Sequence, residues 1–439
     1  MSGSPATNNY VQIDEKLCNG CVLCMKACPT KAIRVKEGRI ACIEGNCIYC
    51  GECIRVCPRK AVKAVTLGKA IPDMARYPIM VVSPVLYGQF GEDRMPNEVL
   101  TALRRAFTYV YDGGYTNELC NLATELYFSE NRLKKDPVWP LISPNCPVVN
   151  RIISYRFHSL LQNLLPITTP RELSARYLKE RLLAEGISDT ESIGVYSLTP
   201  CAAEMISIKE PILLKRSYLD GALGINEIYT AVKKHMRKNG ENAMLHHSGG
   251  IGMGWGMSGG EISGLNSGKY LAISGIQETI RYLEKIEMGL LDDLEYVEFR
   301  ACPEGCVGGP MTAADRYQAK HTIQRLVRMF GVEIRANHIQ EAYKEGWFFS
   351  DNKKELEEAG PKPLPLSEAL KREERIEQIM ERLPGKECGA CGSPDCRTFA
   401  EDVVDGRNSF ENCVFLGDVL STQNPKTRYC AIAKQGRAG

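Results

Sequence analysis

The sequence lacks several features that would point to common classes of protein. It contains no apolar run of about eighteen residues, so we expect no membrane-spanning helix. Its 55 basic and 53 acidic residues leave a net charge of only +2, without a basic cluster, so we expect no nucleic-acid partner. The first residues, MSGSPATNNYVQIDEK, have no basic stretch followed by an apolar one. We therefore expect no secretory signal and a cytoplasmic protein.

Cysteine, in contrast, is abundant. The 439 residues include 19 cysteines. Because the cytosol keeps thiols reduced, we do not expect a disulfide scaffold. Most of these cysteines occur in groups with short spacings, and such groups indicate metal binding.

Two similar cysteine runs lie near the start of the chain, CNGCVLCMKACP at 18–29 and CIYCGECIRVCP at 47–58. Both have the C-x2-C-x2-C-x3-C-P spacing of bacterial ferredoxins with two 4Fe–4S clusters, in which the fourth cysteine of each run ligates the other cluster. The predicted ligands are Cys18, Cys21, Cys24 and Cys57 for one cluster, and Cys47, Cys50, Cys53 and Cys28 for the other. A pair of structural zinc sites is the alternative, although these normally join two C-x2-C pairs across a longer gap. Cys42 lies outside both runs and is expected to be a small buried side chain.

A third group of cysteines lies near the end of the chain. Its members are Cys388, Cys391, Cys396 and Cys413. The surrounding text, LPGKECGACGSPDCRTFAEDVVDG, resembles the small iron–sulfur domain of ferredoxin-like electron-transfer subunits. That resemblance implies a further 4Fe–4S cluster, and a zinc knuckle is the alternative. Cys430 has no partner set.

The middle of the chain, from about 76 to 345, alternates strand and helix patterns. PIMVVSP (78–84), SIGVYSLTP (192–200) and YVEFRAC (296–302) are predicted strands, and RELSARYLKERLLAEG and SGIQETIRYLEKIEMG are predicted helices. This alternation predicts an α/β fold. The charged, proline-bearing stretch 351–367 is a predicted linker. An amphipathic helix should follow it, with an apolar face made of Leu366, Leu370, Ile376, Ile379 and Leu383.

Three loops of the middle region carry the remaining paired cysteines: SPNCP at 143–147, TPCAAEM from 199, and VEFRACPEGCVGG from 297. They resemble, in order, the three cysteine loops of the iron-only (FeFe) hydrogenases, and SPVLYGQFGE (83–92) and WGMSGGE (255–261) extend the resemblance over most of 76–330. In arrangement the chain is similar to the divergent, sensory-type branch of that family. The resemblance implies that four cysteines ligate the 4Fe–4S cube of the active site: Cys146, Cys201, Cys302 and Cys306. In the family the last of them also bridges to a two-iron unit that carries CO and cyanide. Cys120 has no match and is expected to lie in the core.

The chain departs from the family pattern around the expected two-iron unit. Asn145 replaces a proton-delivering cysteine, and an amide cannot relay protons at neutral pH. Leu122 replaces a glutamate of the same proton route, whereas Glu125 is retained. Glu204 replaces a lysine that hydrogen-bonds a cyanide, and Arg300 replaces a methionine that packs against the two irons.

These patterns together predict a multidomain α/β protein. We expect a two-cluster ferredoxin domain at 1–75, a two-lobed hydrogenase-like domain at 76–347, a linker and amphipathic helix at 348–383, and a small iron–sulfur module at 384–439. The expected cofactors are four 4Fe–4S clusters, whereas the two-iron unit is doubtful. The expected partners are redox proteins, such as a ferredoxin, a flavin subunit or a signalling protein, and the chain could belong to a multisubunit complex.

Two functions remain open from the sequence. One is an electron-transfer or redox-sensing protein that keeps the cube and lacks the two-iron unit. The other is a slow or hydrogen-sensing hydrogenase with the complete cofactor. For the first function we expect Arg300 and Glu204 to form a salt bridge across the cavity, and we expect the C-terminal module to dock separately on a flexible linker.

Overall fold

The computed structural model describes residues 9–36, 39–68, 77–105, 107, 109–187, 193–236, 243–266, 268–332, 339–351 and 365–416. These residues form two compact units. The first unit takes the described residues within Met1–Gln12, Ile48–Gly51 and Lys63–Pro361, and the second takes those within Ile13–Cys47, Glu52–Val62 and Lys362–Gly439. Most of the predicted linker and Cys430 lie outside the described residues.

The described strands are short, and most of them belong to the first unit. They are β1 (Val11–Ile13), β2 (Ile33–Lys36), β3 (Ile40–Ile43), β4 (Val62–Ala64), β5 (Tyr77–Val82), β6 (Tyr109–Asp112), β7 (Leu141–Ile142), β8 (Ile193–Thr199), β9 (Gly221–Gly224), β10 (Tyr270–Ser274) and β11 (Tyr296–Arg300).

The described α-helices alternate with these strands through the middle region. They are α1 (Leu23–Ala27), α2 (Glu52–Arg55), α3 (Pro96–Arg104), α4 (Gly113–Arg132), α5 (Pro147–Arg156), α6 (Pro170–Ala184), α7 (Ala203–Lys209), α8 (Ile225–Met236), α9 (Gly250–Gly254), α10 (Ile276–Glu287), α11 (Arg316–Phe330), α12 (Gln340–Lys344), α13 (Leu366–Met380) and α14 (Cys396–Val404). In the described part of the chain, none of them combines the length and apolar character needed to cross a bilayer.

The first unit contains two parallel sheets. One has the strand order β6-β5-β8-β9, and the other has the order β10-β11-β7. All seven residues of β8 and all five of β11 are buried, as expected for parallel strands that are covered on both faces. The α/β fold class is therefore confirmed.

The predicted strands and helices of the middle region are confirmed as β5, β8, β11, α6 and α10. Proline occupies an early position of α3, α5 and α6. That residue suits the start of a helix, because its missing N–H has no partner there and its backbone angle is already helical.

In the second unit, β2 and β3 form an antiparallel hairpin, and α13 packs with α14 around Ile376, Leu383 and Phe399. The predicted apolar face of α13 is only partly correct. Leu366 is 76% exposed and Leu370 is 62% exposed. Ile376 and Ile379 of the second half pack in the cluster with α14, whereas among the described residues the first turns bury little apolar surface.

Candidate iron–sulfur centres

The carboxyl ends of the two parallel sheets open onto one cavity of about 130 Å³ in the first unit. Strand ends in parallel sheets are the usual position for binding sites. Val82 of β5, Thr199 of β8 and Ala301 after β11 lie in the cavity wall. The predicted cysteine loops follow these sheets, so chain topology brings them to one place.

The four predicted cysteines of the middle region all line this cavity: Cys146, Cys201, Cys302 and Cys306. Cys146 directly precedes α5, and the first turn of that helix contains no acidic side chain. The structure brings together the set that the three loops predicted.

Burial makes bare thiolates unfavourable at these positions. It raises the pKa of Cys201 well above its usual value, and the nearby Cys302 and Cys146 raise it further. Burial also raises the pKa of Cys306 to about 12, although the Arg300 charge opposes this. Metal binding is what keeps clustered cysteines deprotonated in such surroundings. Among the described residues, no three His, Cys, Asp or Glu side chains are placed to hold one metal ion. Four thiols around one cavity instead fit a four-iron cluster with one thiolate on each iron.

Three of the residues that depart from the hydrogenase pattern also line the cavity, namely Asn145, Glu204 and Arg300. Leu122 and Glu125 are not among its lining residues. Leu122 packs in an apolar cluster with Phe128, and the Glu125 carboxylate accepts a hydrogen bond from the Asn266 N–H. Of the expected proton-route positions, Asn145 therefore lies in the cavity wall, whereas Leu122 and Glu125 do not.

The predicted salt bridge between Arg300 and Glu204 is wrong. Arg300 Nη2 lies 2.8 Å from a carboxylate oxygen of Glu261, and its Nε lies 3.5 Å from one of Glu298. Glu204 instead lies 3.9 Å from Arg171 Nε. Alternation along β11 puts Glu298 on the same face as Arg300, so the arginine has a partner two residues away in its own strand.

The Arg300 pairs form a buried triad in which one guanidinium serves two carboxylates. Glu261 also accepts hydrogen bonds from Ser143 Oγ at 2.8 Å and from the Tyr296 hydroxyl. Glu298 accepts three backbone N–H groups, from Gly259, Glu261 and Ile262, at 3.1–3.2 Å. Burial raises the pKa of Glu298 to about 7; Arg300 opposes this rise and Glu261 adds to it. The triad therefore places two carboxyl groups and only one guanidinium inside the protein.

Four buried polar atoms of residues lining the cavity have no hydrogen-bond partner among the described residues: Asn145 Oδ1, Arg171 Nε, Glu204 Oε1 and Arg300 Nε. Unpartnered buried polar atoms are uncommon in folded proteins and call for water or a bound group. The wall of the cavity therefore contains both thiols and unsatisfied polar atoms.

Seven of the eight predicted ferredoxin cysteines lie in the second unit, whereas Cys50 belongs to the first. Cys18, Cys21, Cys24 and Cys57 line one small pocket of the second unit. Burial raises the pKa of Cys24 to about 11, and the other three thiols raise it further. In the second set, burial raises the pKa of Cys53 to about 12, and the neighbouring Cys47 and Cys28 thiols raise it further.

The duplicated runs also have matching local structure. The Ala32 N–H donates to Cys28 Sγ, and the Ala61 N–H donates to Cys57 Sγ, both at 3.3 Å. Each acceptor is the fourth cysteine of its run. Such N–H groups stabilise a thiolate and tune the potential of a cluster bound to it.

The C-terminal cysteines Cys388, Cys391, Cys396 and Cys413 line a further pocket, together with Phe399. Burial raises the pKa of Cys391, against a hydrogen bond from the Ser393 backbone. The set predicted from the spacing is therefore adjacent in space.

The two remaining described cysteines differ from each other. Cys120 is 2% exposed and lies in the core, as expected. Cys42 is only partly buried, and its thiol donates to the Arg34 carbonyl and lies 3.3 Å from Glu44. The expectation of a purely apolar role for Cys42 is therefore wrong.

The sequence analysis missed Arg171, Glu261 and Glu298. Glu261 ends the WGMSGGE stretch, and Glu298 lies two residues before Arg300 in a predicted strand. The period of two along a strand could have placed Glu298 beside Arg300. The positions of Glu261 and Arg171 depend on contacts between distant segments, which no local pattern encodes.

Comparison with known proteins assigns the three regions separately. Residues 76–265 match the family "Iron only hydrogenase large subunit, C-terminal domain". Residues 10–58 match the 4Fe–4S dicluster domain, and residues 383–415 match an Fe–S cluster family.

Individual relatives are more distant. The corrinoid/iron–sulfur protein large subunit of Moorella thermoacetica is 39% identical over 41 residues, which is 9% of this chain and 9% of that protein. Among solved structures, a single-residue variant of the [FeFe]-hydrogenase HydA1 from Chlamydomonas reinhardtii is 15% identical, with a TM-score of 0.48, over 62% of this chain and 89% of that one. A HydA structure described as revealing stepwise H-cluster assembly is 15% identical, with a TM-score of 0.46, over 64% and 92% of the two chains. Residues 76–265 are therefore similar to the iron-only hydrogenase large subunit, and segments similar to iron–sulfur domains lie on both sides of them.

Proposed function

We propose that this protein carries electrons among four 4Fe–4S clusters, as an electron-transfer or redox-sensing subunit, and that it lacks the two-iron unit of the hydrogenases. Each of the four cysteine sets would hold one cluster. A bound 4Fe–4S cluster supplies a one-electron store. The chain's own residues supply the thiolates and the N–H groups that stabilise them.

The size of the cavity is the observation that carries the proposal. A dry cavity of about 150 Å³ admits one benzene ring, and the cavity lined by Cys146, Cys201, Cys302 and Cys306 measures about 130 Å³. This space suits one compact group. The four thiols in its wall provide the ligands of one cube.

The charges in the cavity wall support the same proposal. Arg300 is fixed by Glu261 and Glu298, where the hydrogenases have an apolar methionine. Glu204 puts a carboxylate where the family has a lysine that donates to an anionic ligand, and a carboxylate there would repel the ligand.

The missing proton route is a third support. Asn145 lines the cavity, but its amide cannot act as an acid or a base at neutral pH, so it cannot relay a proton. Leu122 has no acidic group at all. Hydrogen chemistry needs protons delivered to the reacting centre, so both changes favour electron transfer alone.

The alternative is a slow or hydrogen-sensing hydrogenase that interconverts two protons and two electrons with H2 in a complete cofactor. One observation favours it: four polar atoms of residues lining the cavity have no hydrogen-bond partner among the described residues, and they could hydrogen-bond to a bound polar group.

Hydrogen assays of anoxically purified, fully loaded protein separate the two functions. The proposal predicts neither H2 evolution from reduced dye nor exchange between H2 and D2O, with a family hydrogenase prepared in the same cells as the positive control. Exchange above the background of the Cys302→Ser variant would favour the hydrogenase.

A further inference from the structure

The C-terminal cysteine loop packs directly on the ferredoxin helix within the second unit. Gly389 lies between Cys388 and Cys391, and a Cβ placed there would be 2.9 Å from Met25 Cε and 3.1 Å from Lys26 Cε. Met25 and Lys26 belong to α1. That helix contains Cys24 and ends just before Cys28, so it joins cysteines of the two predicted ferredoxin clusters.

Hydrogen bonds also join the C-terminal cysteine loop to α1 and to β2. Lys26 Nζ donates to the carbonyls of Glu387 and Pro394, which flank the C-terminal cysteine loop. The Val35 N–H donates to the Gly392 carbonyl at 2.9 Å. Because Val35 belongs to β2, the loop covers an edge of the hairpin that would otherwise offer unpaired backbone groups.

A buried ion pair holds the two segments together. Arg34 donates twice to Asp402, with Nε at 2.5 Å and Nη2 at 3.0 Å, and the side chains are only 6% and 3% exposed. Ser393 Oγ also donates to Asp402, at 2.9 Å. Bidentate, buried and otherwise satisfied arginine pairs fix geometry. These contacts join the C-terminal segment to the ferredoxin segment within one compact unit, so the expectation that the C-terminal module docks separately is wrong.

We propose that the C-terminal cluster exchanges electrons directly with the ferredoxin cluster pair across this contact, with the 388–391 loop and α1 as the route. In each exchange one cluster is oxidised by one electron and its neighbour is reduced by one, and no bond or proton moves. The inference rests on the proposed function, because it deepens the route by which the chain carries electrons. The Arg34–Asp402 pair acts as a positioning contact that keeps the distance fixed. Cys388 is exposed, so this end can receive electrons from a redox protein.

The direct test is electron paramagnetic resonance of the full-length, cluster-loaded chain reduced with dithionite. Reduced clusters that lie close together broaden and split each other's signals. We expect the wild-type spectrum to differ from the sum of its parts, and Cys391→Ser to remove the C-terminal signal and sharpen the remaining ferredoxin signals. Ferredoxin signals unchanged by Cys391→Ser would overturn the proposal.

Two arginine variants test the positioning contact. Arg34→Met should weaken the spin coupling and speed hydrogen exchange at the Val35 amide at least tenfold. Arg372→Met is the matched control, because Arg372 pairs with the partly exposed Asp405 within the C-terminal segment itself. The control should leave both measurements unchanged. Equal effects of the two variants, or none from Arg34→Met, would contradict the proposal.

This test is independent of the hydrogen assays. A hydrogenase with coupled clusters would refute the proposed function and leave this inference standing, whereas an inactive protein with uncoupled clusters would do the reverse.

Discussion

At the scale of single residues, the buried Glu261–Arg300–Glu298 triad reaches the cavity wall through Arg300. Its arginine is 2% exposed, in a strand where every residue is buried. Charged side chains are almost never fully buried unless they are paired. The triad therefore depends on all three members.

Replacing the arginine of the triad should destabilise the first unit strongly. Arg300→Met leaves two buried carboxylates without a cation, and breaking a buried pair from one side costs about 3–5 kcal/mol. Arg132→Met is the control, because Arg132 is also an ion-paired arginine, with two hydrogen bonds to Glu295, but is 40% exposed. Its loss should cost about 1 kcal/mol or less. Anoxic thermal unfolding measures both, and similar losses for the two variants would contradict the buried triad.

Glu298 should give the stability of the first unit a distinct pH dependence. Burial raises its pKa from 4.5 to about 7, so the folded state holds a proton that the unfolded state has already lost. The stabilisation that the bound proton gives the folded state is fully present below pH 4.5, and it is lost as pH rises through about 7. Glu298→Gln should remove this part of the loss of stability between about pH 4.5 and 7, as measured by anoxic denaturation.

Glu295 provides the opposite sign for comparison. The hydrogen bond from Arg132 lowers the pKa of Glu295, so its contribution is present at neutral pH and is lost as pH falls through the lowered value. Glu295→Gln should therefore change the acid side of the profile only. A Glu298→Gln profile parallel to that of the wild type would show that Glu298 is ionised throughout.

The cysteine positions and the altered cavity residues could be predicted at this scale, whereas the partners of Arg300 and Glu204 could not. Cysteine spacing reflects local cluster geometry, so the sequence displays it directly. Ion pairs depend on which distant segments meet. Arg300 was expected to reach Glu204, but Glu261 and Glu298 lie closer to it.

At the scale of elements, the glycines of the C-terminal loop allow its close approach to the hairpin. Gly392 has φ +84°, and a Cβ there would lie 2.0 Å from the Val35 carbonyl oxygen. Gly392→Ala should therefore weaken the contact between the loop and β2. We expect faster hydrogen exchange at the Val35 amide and a lower unfolding temperature.

Gly406→Ala is the matched control for this prediction. Gly406 also has positive φ, at +70°, but a Cβ there would meet no atom within 4 Å. It should cost only the backbone strain of about 1–2 kcal/mol, without faster exchange at Val35. Equal exchange in the two variants would mean that the loop does not depend on this close approach.

Strands β5, β8 and β11 were predictable, because their apolar stretches give a strong local signal, and β8 and β11 also lead into cysteines. The exposed first half of α13 was not, because its periodic leucines do not show whether a neighbour covers them. The docking of the C-terminal loop on β2 could not be predicted from the sequence either, because it depends on backbone hydrogen bonds between residues far apart in the chain.

At the scale of the whole molecule, four cysteine sets predict four clusters. Anoxically purified protein should contain about sixteen irons and as many sulfides per chain by the four-thiolate rule. Cys391→Ser should lose about four irons and leave the ferredoxin signals present. Iron and sulfide analysis checks this, and a value near eight irons would mean that two of the sets hold no cluster.

The family and the order of iron–sulfur segments were predictable because cluster-binding loops are local motifs. The joining of the first and last iron–sulfur segments in one compact unit was not. Sequence order suggested a separate rear module, whereas the buried Arg34–Asp402 pair brings residues from the two ends of the chain together.

The absence of the two-iron unit is the central claim, and an infrared spectrum tests it most directly. The protein should be produced anaerobically in cells that also mature a family hydrogenase, and that hydrogenase serves as the positive control. We predict full cluster loading by iron analysis and no CO or cyanide bands in this protein, with clear bands in the control. Stoichiometric CO and cyanide bands that persist after gel filtration would contradict the account and identify the chain as a hydrogenase with a complete cofactor.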